Sequence, residues 1–252
     1  MRLSSTKSHF LLRTSLRTKR VIRRTQYRRA KAKTHAQEYL GMPPDASHPL
    51  RFLWGAGPGV VSSWSLHGES LLCIWNMLKV QKPRSIVELG SGLSTLMFAR
   101  YTQSIEEADE QSVIVHSIEH EQEWAEKTRE MLREAGLEQF VTVHTVPIIE
   151  QSIDGFEGQM MDLSPIQGEQ FEFALIDSPP AYIGRRLSLP LLQPLLKTNA
   201  VVILDDAQRL DEQSMVNEWL AEMPNDLSFQ SYQIVGNGLC IMRFRSLDRI
   251  SA

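Results

Sequence analysis

The stretch that decides the fold reads Val87-Glu88-Leu89-Gly90-Ser91-Gly92-Leu93-Ser94-Thr95. Residues 85–87, just before the glycine-containing stretch, form a short and mostly apolar segment, which predicts a buried strand. Two glycines two residues apart then permit a tight turn and a close approach of the backbone to a ligand. The helix that follows presents free N–H groups and the positive end of its dipole, which suit a carboxylate or a phosphate. The stretch therefore predicts a ligand-binding turn between a strand and a helix.

Outward from this turn, the chain alternates between strand-like and helix-like segments. Strands are predicted at residues 85–87, 113–118, 140–143, 171–176 and 200–204. Helices are predicted at residues 69–79, 121–135, 187–196 and 211–223, and the polar segment up to about residue 169 is expected to be a loop. The last two strand-like runs, 229–235 and 239–244, are joined through Gly236-Asn237-Gly238, which is a hairpin signal. This order predicts an α/β fold, with a parallel sheet, helices on both faces and an antiparallel C-terminal hairpin.

The residues around the turn also restrict the class of ligand. Thr95 stands where a dinucleotide-binding G-x-G-x-x-G turn has its third glycine. The carboxylate of Glu88 would repel a pyrophosphate but would favour a cofactor that carries a cationic amino group. Glu119 ends the second strand, where nucleoside-binding sheets place the acid that accepts hydrogen bonds from ribose hydroxyls.

With Leu175-Ile176-Asp177-Ser178-Pro179-Pro180, these residues resemble the class I S-adenosylmethionine (SAM)-dependent methyltransferases, in particular the branch with E-x-G-s-G-x-S-T and I-D-G-P-P signatures. The resemblance covers about residues 65–245 and implies a Rossmann-like seven-stranded sheet with a reversed last strand. It implies that Glu88 and the turn backbone face the methionine part of SAM, that Glu119 holds the ribose, and that His120 and Trp124 lie near the adenosine. The expected cofactor contacts are Glu88, Gly90, Ser91, Gly92, Ser94, Thr95, Glu119, His120, Trp124 and Asp177. Ser178 departs from the glycine of that signature.

Three carboxylates mark the expected substrate side. Asp177 follows one predicted strand and Asp205-Asp206 follow the next, so their side chains should converge. Converging carboxylates either share protons or bind a hard cation. The pattern is similar to that of the divalent-metal-dependent O-methyltransferases of sugars and catechols, which implies Mg²⁺ or another divalent cation on Asp177, Asp205 and Asp206, with Asp177 and Asp206 as catalytic residues. The alternative places Asp177 beside the SAM amine and uses Asp205-Asp206 to cap the next helix.

Other polar residues are expected at the rim of the same site. Tyr182, Arg185 and Arg186 follow the fourth strand and are expected to lie exposed, where they could grip an anionic or sugar substrate. His67 could enter from the N-terminal side as a base, against the alternative of a purely structural histidine.

The distribution of charged residues divides the chain into an N-terminal arm (residues 1–40) and a body (residues 41–252). Residues 1–35 hold 12 of the 27 Lys and Arg and none of the 30 Asp and Glu. We therefore expect a basic N-terminal extension at residues 1–40 and a methyltransferase domain at residues 41–252. The extension suits an anionic membrane surface, a nucleic acid backbone or the acidic body of its own or another subunit, and it also resembles an organelle transit peptide. The alternative is a solvated helical extension with no specific partner.

The cysteine content bears on the cellular location of the protein. The two cysteines, Cys73 and Cys240, lie far apart in apolar stretches, which favours buried thiols in a reducing compartment. We expect a cytoplasmic protein, peripheral to a membrane if the arm binds one, with targeting to an organelle as the alternative. The expected activity is SAM-dependent methylation of a hydroxyl on a saccharide or small molecule. The alternatives are an RNA-directed methyltransferase and a non-catalytic module recruited by the arm.

Overall fold

The structure is a computed structural model, and it describes residues 40–55, 61, 64–109, 112–180, 183 and 185–245. Apart from residue 40, the predicted basic extension lies outside the described residues, as does Tyr182. The partners expected for the extension therefore stay predictions.

The described residues form alternating helices and strands, as the sequence pattern predicts. In chain order they are α1 (Gly68–Gln81), β1 (Ser85–Leu89), α2 (Leu93–Asp109), β2 (Ile114–Glu119), α3 (Gln122–Glu134), β3 (Thr142–Thr145), β4 (Ile148–Ile153), β5 (Phe156–Met161), β6 (Phe171–Ile176), α4 (Ser188–Leu192), β7 (Leu196–Leu204), α5 (Leu210–Glu222), β8 (Leu227–Gln233) and β9 (Leu239–Phe244). Short 3₁₀ helices lie at Arg51–Gly55, Glu138–Phe140, Ser164–Ile166 and Gln193–Leu195. Every strand and helix predicted from the sequence is present, with ends that differ by a few residues.

Seven of the strands form one sheet in the order β3-β2-β1-β6-β7-β9-β8. The first five of these pair in parallel, and β9 is antiparallel to both β7 and β8. The predicted terminal hairpin is confirmed, and its second strand lies inside the sheet while its first forms the edge. Strand order reverses between β1 and β6, so the carboxyl ends of these two strands border the crevice in which open α/β sheets bind ligands.

Apolar side chains are buried on both faces of this sheet. Along β1, Ile86 belongs to one cluster of buried residues and Val87 to the other, because successive side chains of a strand point to opposite faces. One cluster includes side chains of α1, α2 and α3, and the other includes side chains of α4 and α5. The prediction of helices on both faces is therefore confirmed. No helix among the described residues is long and apolar enough to cross a membrane.

The expectation of a loop up to residue 169 is wrong, because this segment contains the antiparallel pair β4 and β5. The two strands form a small sheet of their own and are joined at Asp154 and Gly155, whose φ angles are 47° and 82°. Positive φ at both central positions is what a tight hairpin turn of the I′ type requires, and Asp-Gly is a preferred sequence for it. That dipeptide is the signal from which the hairpin could have been predicted.

Candidate active site

The glycine turn follows β1 directly and forms part of the cleft wall. Gly90 and Gly92 have φ angles of 117° and 152°, which L side chains rarely adopt. A Cβ atom on Gly90 would lie 3.3 Å from Cβ of Ser178, so this glycine also permits a close approach between the ends of β1 and β6. Nothing lies within 4 Å of a Cβ atom placed on Gly92. The backbone of the turn is thus open to a ligand on one side.

The buried side chains of Glu88 and Thr95 stabilise this turn from the inner side of the protein. The Thr95 hydroxyl donates to Glu88 Oε2 over 2.7 Å and accepts from the N–H of Gly92 over 2.9 Å, while Ser117 Oγ lies 3.0 Å from Glu88 Oε2. Glu88 is 1% exposed. Burial raises the pKa of Glu88 to about 7, although hydroxyl groups of Ser94, Thr95 and Ser117 act to lower it.

Two of the expected cofactor contacts do not line the described cleft, and their contact with the cofactor stays a prediction. Glu88 and Thr95 lie beneath the turn and do not line the cleft, whereas Gly90, Ser91 and, in the adjoining part, Gly92 and Ser94 do. The reason is that β1 is buried along its whole length, so a side chain one residue before its end stays inside the protein. Glu88 and Thr95 therefore position the turn.

Glu119 lies at the end of β2 on the cleft wall, and hydrogen bonds fix both of its oxygens. Its Oε1 accepts from the backbone N–H groups of His120 and Glu121 over 2.8 and 2.9 Å. Its Oε2 accepts from Ser91 Oγ over 3.1 Å, and Ser91 in turn accepts from Thr128 of α3 over 3.1 Å. A carboxylate held in this way has lone pairs left for a vicinal diol and loses little freedom when a ligand binds.

His120 and Trp124 lie beside Glu119 and also line the cleft, where the sequence places the adenosine contacts. Trp124 carries Lys127 above its ring, with Nζ 5.0 Å from the ring centre. We call the part of the cleft formed by Gly90, Ser91, Glu119, His120 and Trp124 the cofactor half. The structure brings these five predicted residues together.

The other part of the cleft is formed at the carboxyl ends of β6 and β7. Asp177, Asp205 and Asp206 each offer an oxygen within 4.8 Å of the others, so their predicted convergence is confirmed. Burial raises the pKa of Asp177 to about 7, against the opposing charge of Arg185. Burial, together with the charges of Asp177 and Asp206, also raises the pKa of Asp205 well above its ordinary value. The predicted metal ion itself stays a prediction.

Arg185 lies among these carboxylates, and we call the four residues the acceptor half. Its Nη2 is 2.9 Å from Asp206 Oδ2 and 3.6 Å from Asp177 Oδ1. Its Nε and Nη1 donate to the backbone carbonyls of Pro179 and Asp205 over 3.0 and 3.1 Å. The side chain is 3% exposed. The expectation of an exposed Arg185 is wrong, because these partners compensate the burial of its charge.

Two further side chains complete the shell of Asp206. Asn237, from the turn between β8 and β9, donates to Asp206 Oδ1 over 3.1 Å, and Arg209 Nη1 lies 2.7 Å from Asp206 Oδ2. Sequence reasoning noted Asn237 only as a turn residue and missed Arg209. Asn237 has no local signal, because it reaches the site through the placement of β9 beside β7, whereas Arg209 lies only three residues after Asp206, in the turn that follows β7.

Arg186 and His67 are the other described residues that were expected at the rim of the site. Arg186 donates through Nε to Glu218 of α5 over 2.6 Å, and its guanidinium lies 4.9 Å from the ring centre of Phe156. It therefore joins α5 to β5 and does not contact the three aspartates. His67 is half-buried at the N-cap position of α1, and burial lowers its pKa although the charge of Asp206 acts to raise it.

Comparisons with known proteins agree with this fold. Residues 87–207 match the family model described as a methyltransferase domain. The SAH-bound methyltransferase from Podospora anserina has 17% identity, a TM-score of 0.57, and an alignment over 84% of this chain and 92% of that one. The O-methyltransferase from Bacillus cereus in complex with SAH (S-adenosylhomocysteine) has 17% identity, a TM-score of 0.54, and covers 83% and 95%. The O-methyltransferase TomG from Streptomyces achromogenes, solved with SAM, has 16% identity, a TM-score of 0.53, and covers 85% and 100%.

The sheet order, the glycine turn and the carboxylate after β2 define a Rossmann-like class I methyltransferase fold. The match of the methyltransferase model spans the strands that carry both halves of the cleft. The chain is accordingly a SAM-dependent methyltransferase of class I. No curated protein matches it in sequence.

Proposed function

We propose that this enzyme transfers the methyl group of SAM to a hydroxyl oxygen of a small molecule or a saccharide. The observation that carries the proposal is one cleft with a fixed carboxylate, Glu119, in one half and a second carboxylate, Asp177, in the other. The similar proteins from Bacillus cereus and Streptomyces achromogenes are described as O-methyltransferases, which supports oxygen as the acceptor atom.

The cofactor half has the donor and acceptor groups that SAM requires. Glu119 would accept hydrogen bonds from the two ribose hydroxyls, because Ser91 and two backbone N–H groups already hold its oxygens in place. The open backbone at Gly92 would lie against the methionine part, where a side chain would intrude. The ring of Trp124 offers an apolar surface for the adenine. When bound, SAM supplies an electrophilic methyl group on a sulfonium.

Asp177 is the group best placed to take the acceptor proton. Its side chain is 19% exposed, whereas that of Asp206 is 7% exposed and is already held by two arginines and Asn237. Asp177 would take the hydroxyl proton as the acceptor oxygen bonds to the methyl carbon and the carbon–sulfur bond of SAM breaks. The products would be a methyl ether, SAH and a protonated Asp177. We therefore propose Asp177 as the general base and Asp206 as a positioning residue.

Calorimetric titration with SAM, followed by methyl transfer from labelled SAM, tests this function. The acceptors would be a panel of phenols, catechols, monosaccharides, amines and carboxylic acids. We expect SAM to bind with one-to-one stoichiometry and the label to enter a hydroxyl compound as an ether that survives alkaline treatment. Absence of SAM binding would contradict the cofactor assignment. Label found only in amines, or in alkali-labile esters, would contradict the hydroxyl acceptor.

A further inference from the structure

The acceptor half contains a buried cation of its own. Arg185 reaches the carboxylates from the segment between β6 and α4, and all three nitrogens of its guanidinium contact oxygens of the site. Two of those oxygens are backbone carbonyls, at Pro179 and Asp205, so the guanidinium is held by groups that cannot rotate away. A side chain that is 3% exposed and fixed in this way keeps its charge at one position.

This position restricts what else the carboxylates can bind. Divalent cations such as Mg²⁺ and Ca²⁺ lie about 2.0–2.6 Å from their oxygen ligands. Arg185 Nη2 is already 2.9 Å from Asp206 Oδ2. A divalent ion on that oxygen would therefore lie at most about 5.5 Å from the guanidinium nitrogen. At such a distance, within a buried site, two like charges repel strongly.

Most of the lone pairs of the Asp206 carboxylate are also occupied. Its Oδ2 contacts Arg185 and Arg209, and its Oδ1 accepts from Asn237, so only about one of the four lone pairs of this carboxylate is left for an ion. Arg185 and Arg209 already balance two of the four carboxylates of this network, which are Asp177, Asp205, Asp206 and Glu212. Asp205 Oδ1 is buried without a hydrogen-bond partner among the described residues, but an ion shared between it and Asp206 would lie beside the guanidinium. As they stand, these residues do not fit a divalent cation, although their convergence resembles a metal site.

We propose that the Arg185 guanidinium is the resident cation of the acceptor half, that it takes the place of a divalent metal, and that it positions Asp177 towards the cleft. This inference rests on the proposed function only for the role of Asp177. A bound metal would hold two neighbouring oxygens of an acceptor. Without one, an acceptor with a single hydroxyl suffices, so the substrate class extends beyond catechols and vicinal diols.

Titration of the full chain with Mn²⁺, followed by electron paramagnetic resonance, tests the proposal directly. We expect no stoichiometric site with Kd below about 1 mM, which is the weak end of functional divalent sites in proteins. We expect Arg185→Met, which keeps an unbranched side chain but removes the charge, to gain one site at least tenfold tighter. A second change, Asp205→Asn, should abolish that gained site. Arg185→Lys, which keeps the charge, should bind no Mn²⁺.

Arg186→Met is the matched control, because it removes a neighbouring positive charge that contacts Glu218 instead of the aspartates. It should gain no Mn²⁺ site. A stoichiometric site below about 1 mM in the unmodified chain would overturn the proposal, as would a folded Arg185→Met chain that binds no Mn²⁺. If Arg185→Met does not fold, the titration of the unmodified chain decides alone. Because SAM binding is measured separately, failure of the cofactor assignment would be distinguishable from failure of this inference.

Discussion

The two halves of the cleft solve the burial of carboxylates in different ways, although both lie at the carboxyl ends of parallel strands. In the cofactor half, Glu119 is held by a hydroxyl and by two backbone N–H groups that follow it in the chain, and His120 Nδ1 lies 3.0 Å from its Oε1. In the acceptor half, Asp206 is held by two arginines and an asparagine, of which Arg185 and Asn237 are distant in sequence. The first arrangement leaves a carboxylate ready for a neutral diol, and the second fixes an internal ion-pair network.

This difference has a consequence for function. The hydroxyl and the backbone N–H groups hold Glu119 without cancelling its charge, so it can still attract the hydroxyl groups of a ligand. Arg185 and Arg209 offset part of the negative charge of the aspartates, so the acceptor half should discriminate ligands by hydrogen bonding as well as by net charge. Variants in the acceptor half should therefore mainly lower kcat, whereas variants in the cofactor half should mainly weaken SAM binding or lower stability.

Asp177→Asn should have the largest effect, because the amide cannot take the acceptor proton. We expect kcat to fall by about 10²- to 10⁴-fold, which is the usual contribution of a general base. The Kd of SAM, measured by calorimetry, should change by less than about tenfold if this carboxylate acts mainly on the acceptor. An equal loss in kcat and in SAM affinity would instead place Asp177 on the cofactor.

Glu88→Gln tests the group that supports the cofactor half from below. An acid whose pKa is raised by folding stabilises the folded state fully below its unfolded pKa and loses that contribution as the pH rises through its folded pKa. For Glu88 these values are 4.5 and about 7. The free energy of unfolding of the wild-type chain should therefore fall, relative to that of Glu88→Gln, by about 3 kcal/mol between pH 4 and pH 8.

Urea denaturation at several pH values measures this difference. Glu121→Gln is the control, since Glu121 is 49% exposed and does not support the turn. Its difference from the wild-type chain should stay nearly constant with pH. A constant difference for Glu88→Gln as well would show that Glu88 is ionised inside the folded protein throughout this range.

Glu119→Gln should weaken SAM binding and leave kcat at saturating SAM nearly unchanged. A charge-assisted hydrogen bond contributes about 1.5–3 kcal/mol, and the amide keeps part of it, so we expect Kd to rise about tenfold to thirtyfold. Calorimetric titration measures this, with Glu126→Gln as the control of the same chemistry, because Glu126 is exposed on α3, accepts from Gln122 and does not line the described cleft. An unchanged Kd would remove Glu119 from the cofactor site.

The ease of prediction from sequence also differs between the two halves. The residues of the cofactor half lie within a few positions of strand ends, so a short apolar strand, two glycines and a terminal acid sufficed to place Gly90, Ser91 and Glu119. The position of Glu88 beneath the turn was not predicted, because the strand pattern does not show that β1 is buried to its end.

The acceptor half was harder because its neighbours are determined by tertiary packing. The aspartates converge as the order of β6 and β7 requires, and this was predictable. Burial of Arg185 depends on carbonyl groups of Pro179 and Asp205 that only the folded chain brings together. An arginine in a polar segment carries no local mark of such an environment.

Removal of residues 1–39 should have the smallest effect on both halves. Among the described residues, the cleft is lined by residues from Trp64 onwards, and the described contacts of Glu119 and Asp177 come from Ser91, His120, Glu121 and Arg185. We expect the SAM Kd of the truncated chain, measured by calorimetry, to stay within about twofold of the full chain, since it would keep all of these contacts. Its binding to vesicles that contain anionic lipid should fall sharply with the loss of 12 basic residues, if a membrane surface is the partner of the extension. A large loss of SAM affinity would show instead that the extension contributes to the cleft, and equal vesicle binding by both chains would remove the membrane surface as its partner.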